Sequence, residues 1–350
     1  MKLTVSGENP LERIALALGI APITLMETHL SFLRARTIMV ATRLGVFDAL
    51  AAGPSDAAAV AAQCGTAPYP TGKLLNALVG CGYLAFAGNT YRLTPRARTW
   101  LTSDSPRSVR DKVLFEFIEW ALVERMEDYL RDGTPLEIHG AESDEQWALY
   151  QRGMRAISAL GAGEVVRRTP VPRGATRMLD IGGAHGYLSA AMCRRYAGLT
   201  AVVVDLPAAV KHAAPLLARE GMGPRVVHRA GDARRDDLGS AEWDIVFVSL
   251  LAHHFDEASN RRLLQRIARA LRPGGVSVIL ELVRPPSPDD AGQVGALLDL
   301  YYALTSASGT WSVDEMAGWQ TDAGLTPRRP IYLRTTPGAA EVIARKPRLP

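Results

Sequence analysis

The feature that most constrains the fold is a regular alternation of strand-like and helix-like segments that begins after residue 170. Short apolar runs predict strands at 177–181, 201–205, 225–229, 243–249 and 275–283. Helical patterns between or after them predict helices at 187–196, 207–220, 257–271 and 292–306. Two last segments, 328–334 and 339–345, are expected to be closing strands, with Gly338 turning one antiparallel to the other. This order predicts an α/β fold with a doubly wound parallel sheet over residues 171–350.

The residues before this alternation are predicted to be mostly helical. One helix has apolar positions from Ile38 to Leu50, a second begins at the N-cap pair Ser55-Asp56, and a third runs from Tyr69 to about Cys81. Two short alternating segments then predict a hairpin, at 82–86 and 90–93. Three helices closed by a hairpin indicate a winged-helix arrangement. We therefore predict a helical N-terminal domain over residues 1–105 and linking helices over residues 106–170.

Composition limits which partners and compartments are expected. The 40 Lys and Arg residues nearly balance the 36 Asp and Glu residues, so the formal charge of +4 does not require a nucleic-acid partner. The cysteines Cys64, Cys81 and Cys193 have no C-x-x-C spacing and fit a reducing compartment. The N-terminus has no signal-peptide pattern, and no apolar run is long enough to cross a bilayer. We therefore expect a cytoplasmic protein with no membrane partner.

A glycine-rich loop, D-I-G-G-A-H-G at residues 180–186, lies where the first predicted strand meets the first helix of the sheet. Its glycines let backbone N–H groups approach a ligand closely, which implies a nucleotide or nucleoside. The dinucleotide spacing G-x-G-x-x-G fails from both Gly182 and Gly183, and the phosphate-binding G-x-x-x-x-G-K-[ST] fails because Tyr187 follows Gly186. The carboxylate of Asp180 suits a cationic or amine-bearing ligand better than a pyrophosphate. The alternative is a tight turn that binds nothing.

Two more carboxylates follow the next two predicted strands. Asp205 ends the second strand, where it can accept hydrogen bonds from two ribose hydroxyls. Asp232 follows the third strand, where it can accept one from an exocyclic amine such as N6 of adenine. Each aspartate taken alone could instead be a helix N-cap. Three carboxylates at three successive strand ends are much less expected by chance, and together they favour a nucleoside-binding crevice.

Together these features resemble the class I S-adenosylmethionine-dependent methyltransferases. More narrowly, the chain is similar to the dimeric small-molecule O-methyltransferases, which include the caffeic acid, acetylserotonin and bacterial antibiotic enzymes of secondary metabolism. The resemblance covers nearly the whole chain and begins with the family's winged-helix dimerisation domain at Leu30–Leu101. Its motifs are R-L-G-V-F-D at 43–48, Y-R-L-T-P at 91–95, R-G-M at 152–154, the loop at 180–186, D-L-P at 205–207, G-D at 231–232, L-R-P-G-G at 271–275 and D-A-G-L at 322–325.

The resemblance implies a Rossmann-like methyltransferase sheet, S-adenosylmethionine as the cofactor, and a homodimer. In this family the loop glycines hold the methionine part of the cofactor, and Asp205 and Asp232 fall on the residues that hold its ribose and adenine. The implied cofactor-binding residues are Asp180, Gly182, Gly183, Gly186, Asp205, Leu206, Gly231, Asp232, Ala233 and Ser249. Ala233 departs from the family, which usually has a large apolar residue there, and Ser249 could instead simply end its strand.

The resemblance also implies a proton-transfer pair. In the segment L-L-A-H-H-F-D-E at 250–257, His253 falls on the family's general base, and Glu281 falls on the acidic residue that orients it. Such a carboxylate also stabilises the imidazolium as it forms. Glu281 could instead pair with a nearby arginine. The family's second acidic partner falls on Thr310, which cannot act as a carboxylate and leaves room for nitrogen, carbon or carboxylate methylation.

The expected methyl acceptor is a small, aromatic, hydroxyl-bearing molecule. Its predicted pocket residues are Met154, His254, Tyr302 and Trp311, although aromatic residues at such spacing are also common in cores. His254 could instead be structural or face solvent. Two neighbouring histidines raise the idea of a metal site, but no H-x-E or H-x-x-x-H spacing supports chelation, and no metal is expected.

Two other functions stay open at this point. The missing second carboxylate is compatible with a relative that retains the cofactor but catalyses a rearrangement or a hydroxylation. The winged helix is compatible with a transcription regulator. Its candidate recognition helix, from Tyr69 to Cys81, contains one basic residue, Lys73, where a DNA reader needs several. The methyltransferase is the interpretation that accounts for the largest part of the chain.

Overall fold

The computed structural model describes residues 2–136, 143–306 and 308–348. It divides into two compact units, one over Lys2–Phe117 and the other beginning at Ile118. The first unit holds the predicted N-terminal helices, and the second holds the predicted sheet.

The first unit is mostly helical. Its helices are α1 (Pro10–Ala17), α2 (Ile23–Leu25), α3 (Ser31–Arg43), α4 (Val46–Ala49), α5 (Ala57–Cys64), α6 (Pro68–Gly80) and α7 (Pro95–Leu101), with a π-helical turn at Met26–Leu30. Strands β1 (Leu84–Ala87) and β2 (Thr90–Leu93) form an antiparallel hairpin between α6 and α7. Asp56 caps α5 by accepting a hydrogen bond from the backbone N–H of Ala59, as the Ser55-Asp56 pair predicts. The second and third predicted helices and the hairpin are confirmed in this unit.

Between α7 and the sheet, the described residues form helices α8 (Arg110–Val123), α9 (Met126–Asp132) and α10 (Asp144–Arg168). Helix α10 begins with a capping box. The Ser143 hydroxyl accepts from the backbone N–H of Gln146, and the Gln146 side chain accepts from the backbone N–H of Ser143. This reciprocal cap fixes where α10 starts, and α10 carries one of the predicted pocket residues, Met154.

The sheet is built from alternating strands and helices. Its strands are β3 (Arg177–Ile181), β4 (Thr200–Asp205), β5 (Val226–Ala230), β6 (Trp243–Ser249), β7 (Leu271–Leu282), β8 (Thr326–Pro327), β9 (Ile331–Tyr332) and β10 (Ala339–Arg345). Its helices are α11 (Tyr187–Arg195), α12 (Pro207–Arg219), α13 (Glu257–Ala270), α14 (Pro288–Thr305) and α15 (Val313–Asp322), with 3₁₀ turns at Gly223–Arg225 and Ala252–His254.

The strand order is β5-β4-β3-β6-β7-β10-β8, and β9 also pairs with β10. The strands from β5 to β7 are parallel, and β10 lies antiparallel to β7. This arrangement confirms the predicted doubly wound α/β sheet. The strand order reverses at β3, which pairs with β4 on one side and β6 on the other. In such sheets ligands bind outside the carboxyl ends of the strands at this reversal.

Several boundaries differ from the predictions. The strand predicted at 275–283 begins earlier, at Leu271. The helix predicted through Leu50 is broken at Gly45, whose φ of +79° ends α3. The helix predicted at 292–306 begins earlier, at Pro288, and is kinked at Gly292. The continuous strand predicted at 328–334 is wrong, since the strand within this range is limited to β9, and β8 lies just before it. Pro330, between them, has no N–H to donate to a neighbouring strand.

Apolar side chains fill both faces of the sheet. Along β6, Val246 and Val248 join a core cluster with α13 and α15, whereas Ile245 and Phe247 join a second cluster with α10 and α11. This alternation follows the two-residue period of a strand. Because both faces are covered, the crevice at the strand ends is the place where polar residues can meet a ligand. Among the described residues, no helix combines the length and hydropathy of a membrane span.

Candidate active site

The glycine loop follows β3 and leads into α11. Gly182 has a φ of +67°, a conformation that side chains rarely adopt. A Cβ atom at Gly182 would lie 2.8 Å from Cδ2 of Leu251, and one at Gly183 would lie 2.5 Å from Cγ of Asp180. Glycine is therefore required at both positions, because the side chains of Asp180 and Leu251 approach the loop backbone directly.

His185, inside the loop, fixes the loop's conformation. Its Nδ1 accepts from the backbone N–H of Tyr187 at 3.1 Å, and its ring donates to the backbone carbonyl of Met154. Burial and the nearby Arg155 guanidinium lower the pKa of His185 to about 3. The imidazole therefore stays neutral near pH 7, which it must do to accept from one backbone group while donating to another.

Ala184 ties the loop to the ends of two neighbouring strands. Its carbonyl accepts from Nε2 of His228 in β5 at 2.8 Å, and its N–H donates to Oδ2 of Asp205 at 2.8 Å. The other carboxylate oxygen of Asp205 accepts from the backbone N–H of Leu206 at 2.8 Å. These bonds hold the Asp205 carboxylate beside the loop, at the carboxyl end of β4.

Asp180 is a buried carboxylate in contact with the loop. The residue is 1% exposed, and its Oδ2 accepts from the Ser189 hydroxyl at 2.6 Å. Within the described residues its Oδ1 has no hydrogen-bond partner. Burial, together with the charge of Asp205, raises the pKa of Asp180 to about 6. A buried carboxylate oxygen without a partner suits a cationic group such as the ammonium of a methionine moiety, so these residues fit S-adenosylmethionine.

The predicted adenine end of the crevice has a different environment. The Asp232 carboxylate accepts from the backbone N–H and the guanidinium of Arg234, both at 2.9 Å. These bonds to Arg234 hold the pKa of Asp232 below its usual range. The carbonyl of Ala233 accepts from the Arg266 guanidinium at 2.5 Å. An adenine base bound beside Asp232 would therefore share the Asp232 carboxylate with Arg234.

His253 and Glu281 form a buried pair at the carboxyl ends of β6 and β7. Ser249 in β6 pairs with Leu280 in β7, which brings Glu281 next to the turn that follows β6. Nδ1 of His253 lies 3.0 Å from Oε2 of Glu281, and Oε1 of Glu281 accepts from the backbone N–H of Ala252 at 2.7 Å. Because a carboxylate can only accept, Nδ1 carries the proton of the neutral imidazole, and in that form Nε2 keeps its lone pair.

Three further side chains hold the turn that carries His253. Nδ2 of Asn260 and Nε1 of Trp311 donate to the Ala252 carbonyl at 2.9 and 3.0 Å. The Ser308 hydroxyl donates to the carbonyl of His253 at 3.1 Å. The imidazole is thus oriented by its bond to Glu281 and by the bonds that hold the backbone carbonyls of Ala252 and His253.

Tyr302 and His254 lie against His253. Tyr302, in α14, stacks on the His253 imidazole with ring centroids 4.2 Å apart and an interplanar angle of 21°. The ring of His254 is also 4.2 Å from that of His253, and its Nδ1 lies 3.1 Å from the Ser306 hydroxyl. Burial, with the charge of Glu281, raises the pKa of Tyr302 above its usual range, so its phenol stays neutral.

The remaining predicted pocket residues lie in different places. Met154 is half-buried on α10. It lies next to the glycine loop, because its backbone carbonyl accepts from the His185 ring. Trp311 belongs to the hydrophobic core, where its ring packs edge-on against Trp319 with centroids 4.9 Å apart. The core position of Trp311 agrees with the alternative considered for it, and its bond to Ala252 makes it a support for the turn.

Thr310 stands where the resemblance implies a second carboxylate. Its backbone N–H donates to Oδ1 of Asp299 at 2.9 Å, and its hydroxyl donates to the same oxygen. Asp299 lies in α14, one helical turn before Tyr302. A carboxylate therefore does lie beside Thr310, but it belongs to Asp299 of α14 and accepts hydrogen bonds from Thr310.

Sequence reasoning missed the residues that hold the site in place. Asn260 occupies a buried position on α13 together with the apolar Leu263, Leu264 and Ile267. A polar residue on this apolar helical face is the sequence signal that could have identified Asn260. His185 was visible in the loop only as a mismatch to known motifs. His228 carried no signal, because its partner Ala184 is distant in the sequence.

The two adjacent histidines have separate partners, Glu281 for His253 and Ser306 for His254. Residues 2–136, 143–306 and 308–348 contain no group of three or more His, Cys, Asp or Glu side chains that could hold a metal ion.

Comparison with known proteins gives two family matches and close relatives. An O-methyltransferase dimerisation domain matches residues 26–103, and an O-methyltransferase domain matches residues 125–325. The 3-hydroxy-5-methyl-1-naphthoate 3-O-methyltransferase of Streptomyces sahachiroi is 28% identical over 337 residues, which cover 92% of this chain and 94% of the relative. The acetylserotonin O-methyltransferase of Mus musculus is 31% identical over 312 residues, which cover 81% of this chain and 78% of the relative.

The fold is also similar to a solved structure, that of human N-acetylserotonin methyltransferase in complex with S-adenosylmethionine. The TM-score is 0.83 at 22% identity, with 98% of this chain and 100% of that chain covered. The O-methyltransferase domain model spans more than half of the chain. This match confirms the predicted enzyme class and S-adenosylmethionine, the cofactor of the family. The chain belongs to the O-methyltransferase family.

Proposed function

We propose that this enzyme methylates the hydroxyl group of a small aromatic molecule, with His253 as the general base. The observation that carries the proposal is the buried pair of His253 and Glu281, which leaves Nε2 of the imidazole with its lone pair. His253 follows β6, the strand next to β3, and β3 leads into the glycine loop. A proton acceptor and a donor-binding loop on adjacent strand ends are what methyl transfer to a hydroxyl requires.

Each side chain has a distinct role in this proposal. Nε2 of His253 takes the hydroxyl proton of the acceptor. Glu281 keeps the imidazole in the tautomer that leaves Nε2 free, and its charge stabilises the imidazolium that forms. The stacked ring of Tyr302 favours that cation further, since an aromatic face attracts positive charge.

The glycine loop and two carboxylates would hold the cofactor. The loop and Oδ1 of Asp180 fit its methionine part, and Asp205 lies where the ribose hydroxyls would donate. When bound, S-adenosylmethionine supplies an electrophilic methyl group on a sulfonium centre. The contribution of the chain is to hold donor and acceptor in line and to remove the proton.

The acceptor class is proposed from the relatives and from the aromatic surroundings of His253. The Streptomyces sahachiroi relative is named for a hydroxylated naphthoate, and the Mus musculus relative for acetylserotonin. Tyr302 and His254 place two flat rings next to the proposed base. Flat rings beside the reacting group suit an aromatic acceptor.

A transfer assay tests this function. The enzyme is incubated with S-adenosylmethionine and a panel of naphthols and phenols that includes 3-hydroxy-1-naphthoate, and both S-adenosylhomocysteine release and product mass are followed. We expect one methyl group to be added at a hydroxyl oxygen. The matched control is 3-methoxy-1-naphthoate, which has no free hydroxyl and should give no product. Methylation of this control, or of no hydroxyl in the panel, would contradict the proposal.

Cofactor affinity is predicted to fall as the pH is lowered through about 6. Asp180, whose pKa is raised to about 6, is ionised above that pH and protonated below it. The protonated carboxyl cannot pair with the ammonium of the methionine moiety, so the affinity should fall by up to about tenfold per pH unit below 6 and be nearly flat between 7 and 8. Calorimetry across pH 5–7 measures this, and in the Asp180→Asn control the dependence should vanish. Affinity that rises on acidification would refute the role of Asp180.

A homodimer formed through the first unit is predicted to be the species in solution. Apolar side chains outside its core are exposed, such as Leu11 at 78% and Ile20 at 73%, and the dimerisation-domain match begins at residue 26. Sedimentation should give about twice the chain mass of 37.8 kDa. Leu33→Asp, within the matched domain, should shift the protein toward monomer, whereas Leu130→Asp in the second unit should not. A wild-type monomer at high micromolar concentration would exclude this assembly.

A further inference from the structure

Gln151 is a polar side chain in a position where the chain offers it nothing to bind. It lies in α10 and is fully buried at 0% exposure. Within the described residues, neither its Oε1 nor its Nε2 has a hydrogen-bond partner. Burying a carboxamide without hydrogen bonds is unfavourable, because the group gives up its bonds to water and gains none. The carboxamide is therefore free to bind a group that the described chain does not supply.

The helical turns on either side place Gln151 at the active site. One turn later, the Met154 carbonyl accepts from His185 of the glycine loop, and the Arg155 guanidinium lies 5.1 Å from the centre of the Tyr187 ring. This part of α10 therefore faces the loop that would hold the methyl donor.

At Tyr150, directly before Gln151, α10 lies near α14. Tyr150 packs edge-on against Trp147 and lies close enough to Tyr301 for the two phenols to interact electrostatically. Tyr301 is next to Tyr302, whose ring stacks on His253. Gln151 thus lies between the donor-binding loop and the helix that contacts the proposed base.

We propose that Gln151 is a specificity-determining residue that hydrogen-bonds the methyl acceptor. The inference rests on the proposed function, since it concerns the acceptor of that same site. The methionine part of the donor already has a matched group in Asp180, whose Oδ1 is free for an ammonium. Gln151 follows Tyr150, which lies near Tyr301, and the acceptor must reach Nε2 of His253 beside Tyr302.

The chemistry of a carboxamide limits what this part of the acceptor can be. Oε1 accepts and Nε2 donates, and both are free. A carboxylate would satisfy Nε2 but leave Oε1 facing another acceptor, and an ammonium would leave Nε2 unpaired. The matching group is neutral and presents a donor and an acceptor side by side, such as a carboxamide or a carbonyl next to a hydroxyl.

The first test measures stability without any acceptor. Replacing Gln151 with Leu removes an unsatisfied buried amide, so Gln151→Leu should raise the Tm of the unliganded enzyme by about 2–4 °C. The control is Gln320→Leu. Gln320 is equally buried, and its Oε1 also has no partner among the described residues. Its Nε2 donates to the Val342 carbonyl at 3.1 Å, so its replacement removes a hydrogen bond and should not raise the Tm. A lower Tm for Gln151→Leu would show that Gln151 is already paired and would overturn the inference.

The second test measures acceptor choice with probes that differ in one group: 3-hydroxy-1-naphthamide, 3-hydroxy-1-naphthoate and 2-naphthol. For the wild-type enzyme, kcat/KM for the naphthamide should exceed that for 2-naphthol by about tenfold to a hundredfold, since two hydrogen bonds are at stake. In Gln151→Leu this ratio should fall to about one, while calorimetric affinity for S-adenosylmethionine stays near wild type. An unchanged ratio, or a loss of cofactor affinity in its place, would refute a role in acceptor binding.

The two proposals fail in different ways. If the wild-type enzyme methylates none of the probes, the proposed hydroxyl chemistry is contradicted, and Gln151 is then judged by binding. In that case the naphthamide should raise the Tm of the wild-type enzyme more than that of Gln151→Leu. Equal shifts would overturn the inference about Gln151 independently of turnover.

Discussion

Replacing His253 with Ala is expected to lower the turnover of a hydroxyl acceptor by roughly 10²–10⁴-fold, the usual loss when a general base is removed. This loss is expected because Nε2 of His253 is the nitrogen that the hydrogen bond to Glu281 leaves free to accept the hydroxyl proton. Cofactor affinity should stay near its wild-type value, since His185, Asp205 and the loop backbone make their contacts without His253. Single-turnover kinetics and calorimetry measure the two quantities separately.

His254→Ala is the matched control for this prediction. His254 neighbours the base in sequence and in space, but its Nδ1 is engaged by Ser306, so its loss should cost less than about tenfold. A thermal scan must show that His253→Ala is folded, because removing the imidazole takes one donor from the buried Glu281. If His254→Ala is the more damaging change, the base is assigned to the wrong histidine. If neither change affects turnover, the acceptor is deprotonated before it binds.

The strand ends that form the site could be predicted from the sequence because their signals are local. A buried parallel strand appears in the sequence as an apolar run. The residue after the run lies at the carboxyl edge of the sheet, where ligands bind. Asp180, Asp205 and His253 could therefore be assigned to one crevice without knowing any contact. Glu281 followed for the same reason, since it lies near the end of the last parallel strand.

The contacts that complete the site could not be predicted, because each joins a helix to a turn or loop whose relative placement is set by tertiary packing. Nothing in the residues near Asn260 shows that its amide would meet the Ala252 carbonyl, and nothing near Asp299 shows that it would meet Thr310. Both contacts depend on how helices pack on the strand ends. Gln151 could have been suspected as a polar residue at a buried helical position, but its unpaired state is visible only in three dimensions.

The second large effect concerns Glu281, whose two oxygens accept from two different donors. Oε2 accepts from Nδ1 of His253, and Oε1 accepts from the backbone N–H of Ala252. Glutamine has the same shape but only one acceptor oxygen, because its nitrogen donates. One of the two N–H groups must then face the amide nitrogen. The backbone N–H of Ala252 cannot give up its hydrogen, whereas the imidazole can adapt by changing its tautomer.

Glu281→Gln is therefore expected to turn His253 into the tautomer with its proton on Nε2, where it cannot accept the hydroxyl proton. Turnover should fall by roughly 10²–10⁴-fold, as when the orienting carboxylate of a catalytic triad becomes an amide. Cofactor affinity and KM should change little, because the defect lies in the proton-accepting nitrogen. Nitrogen-15 NMR of the imidazole distinguishes the two tautomers directly. If Glu281→Gln keeps wild-type turnover while Nε2 is protonated, His253 does not act as the base, and a hydroxyl that loses its proton to solvent becomes the better description of the reaction.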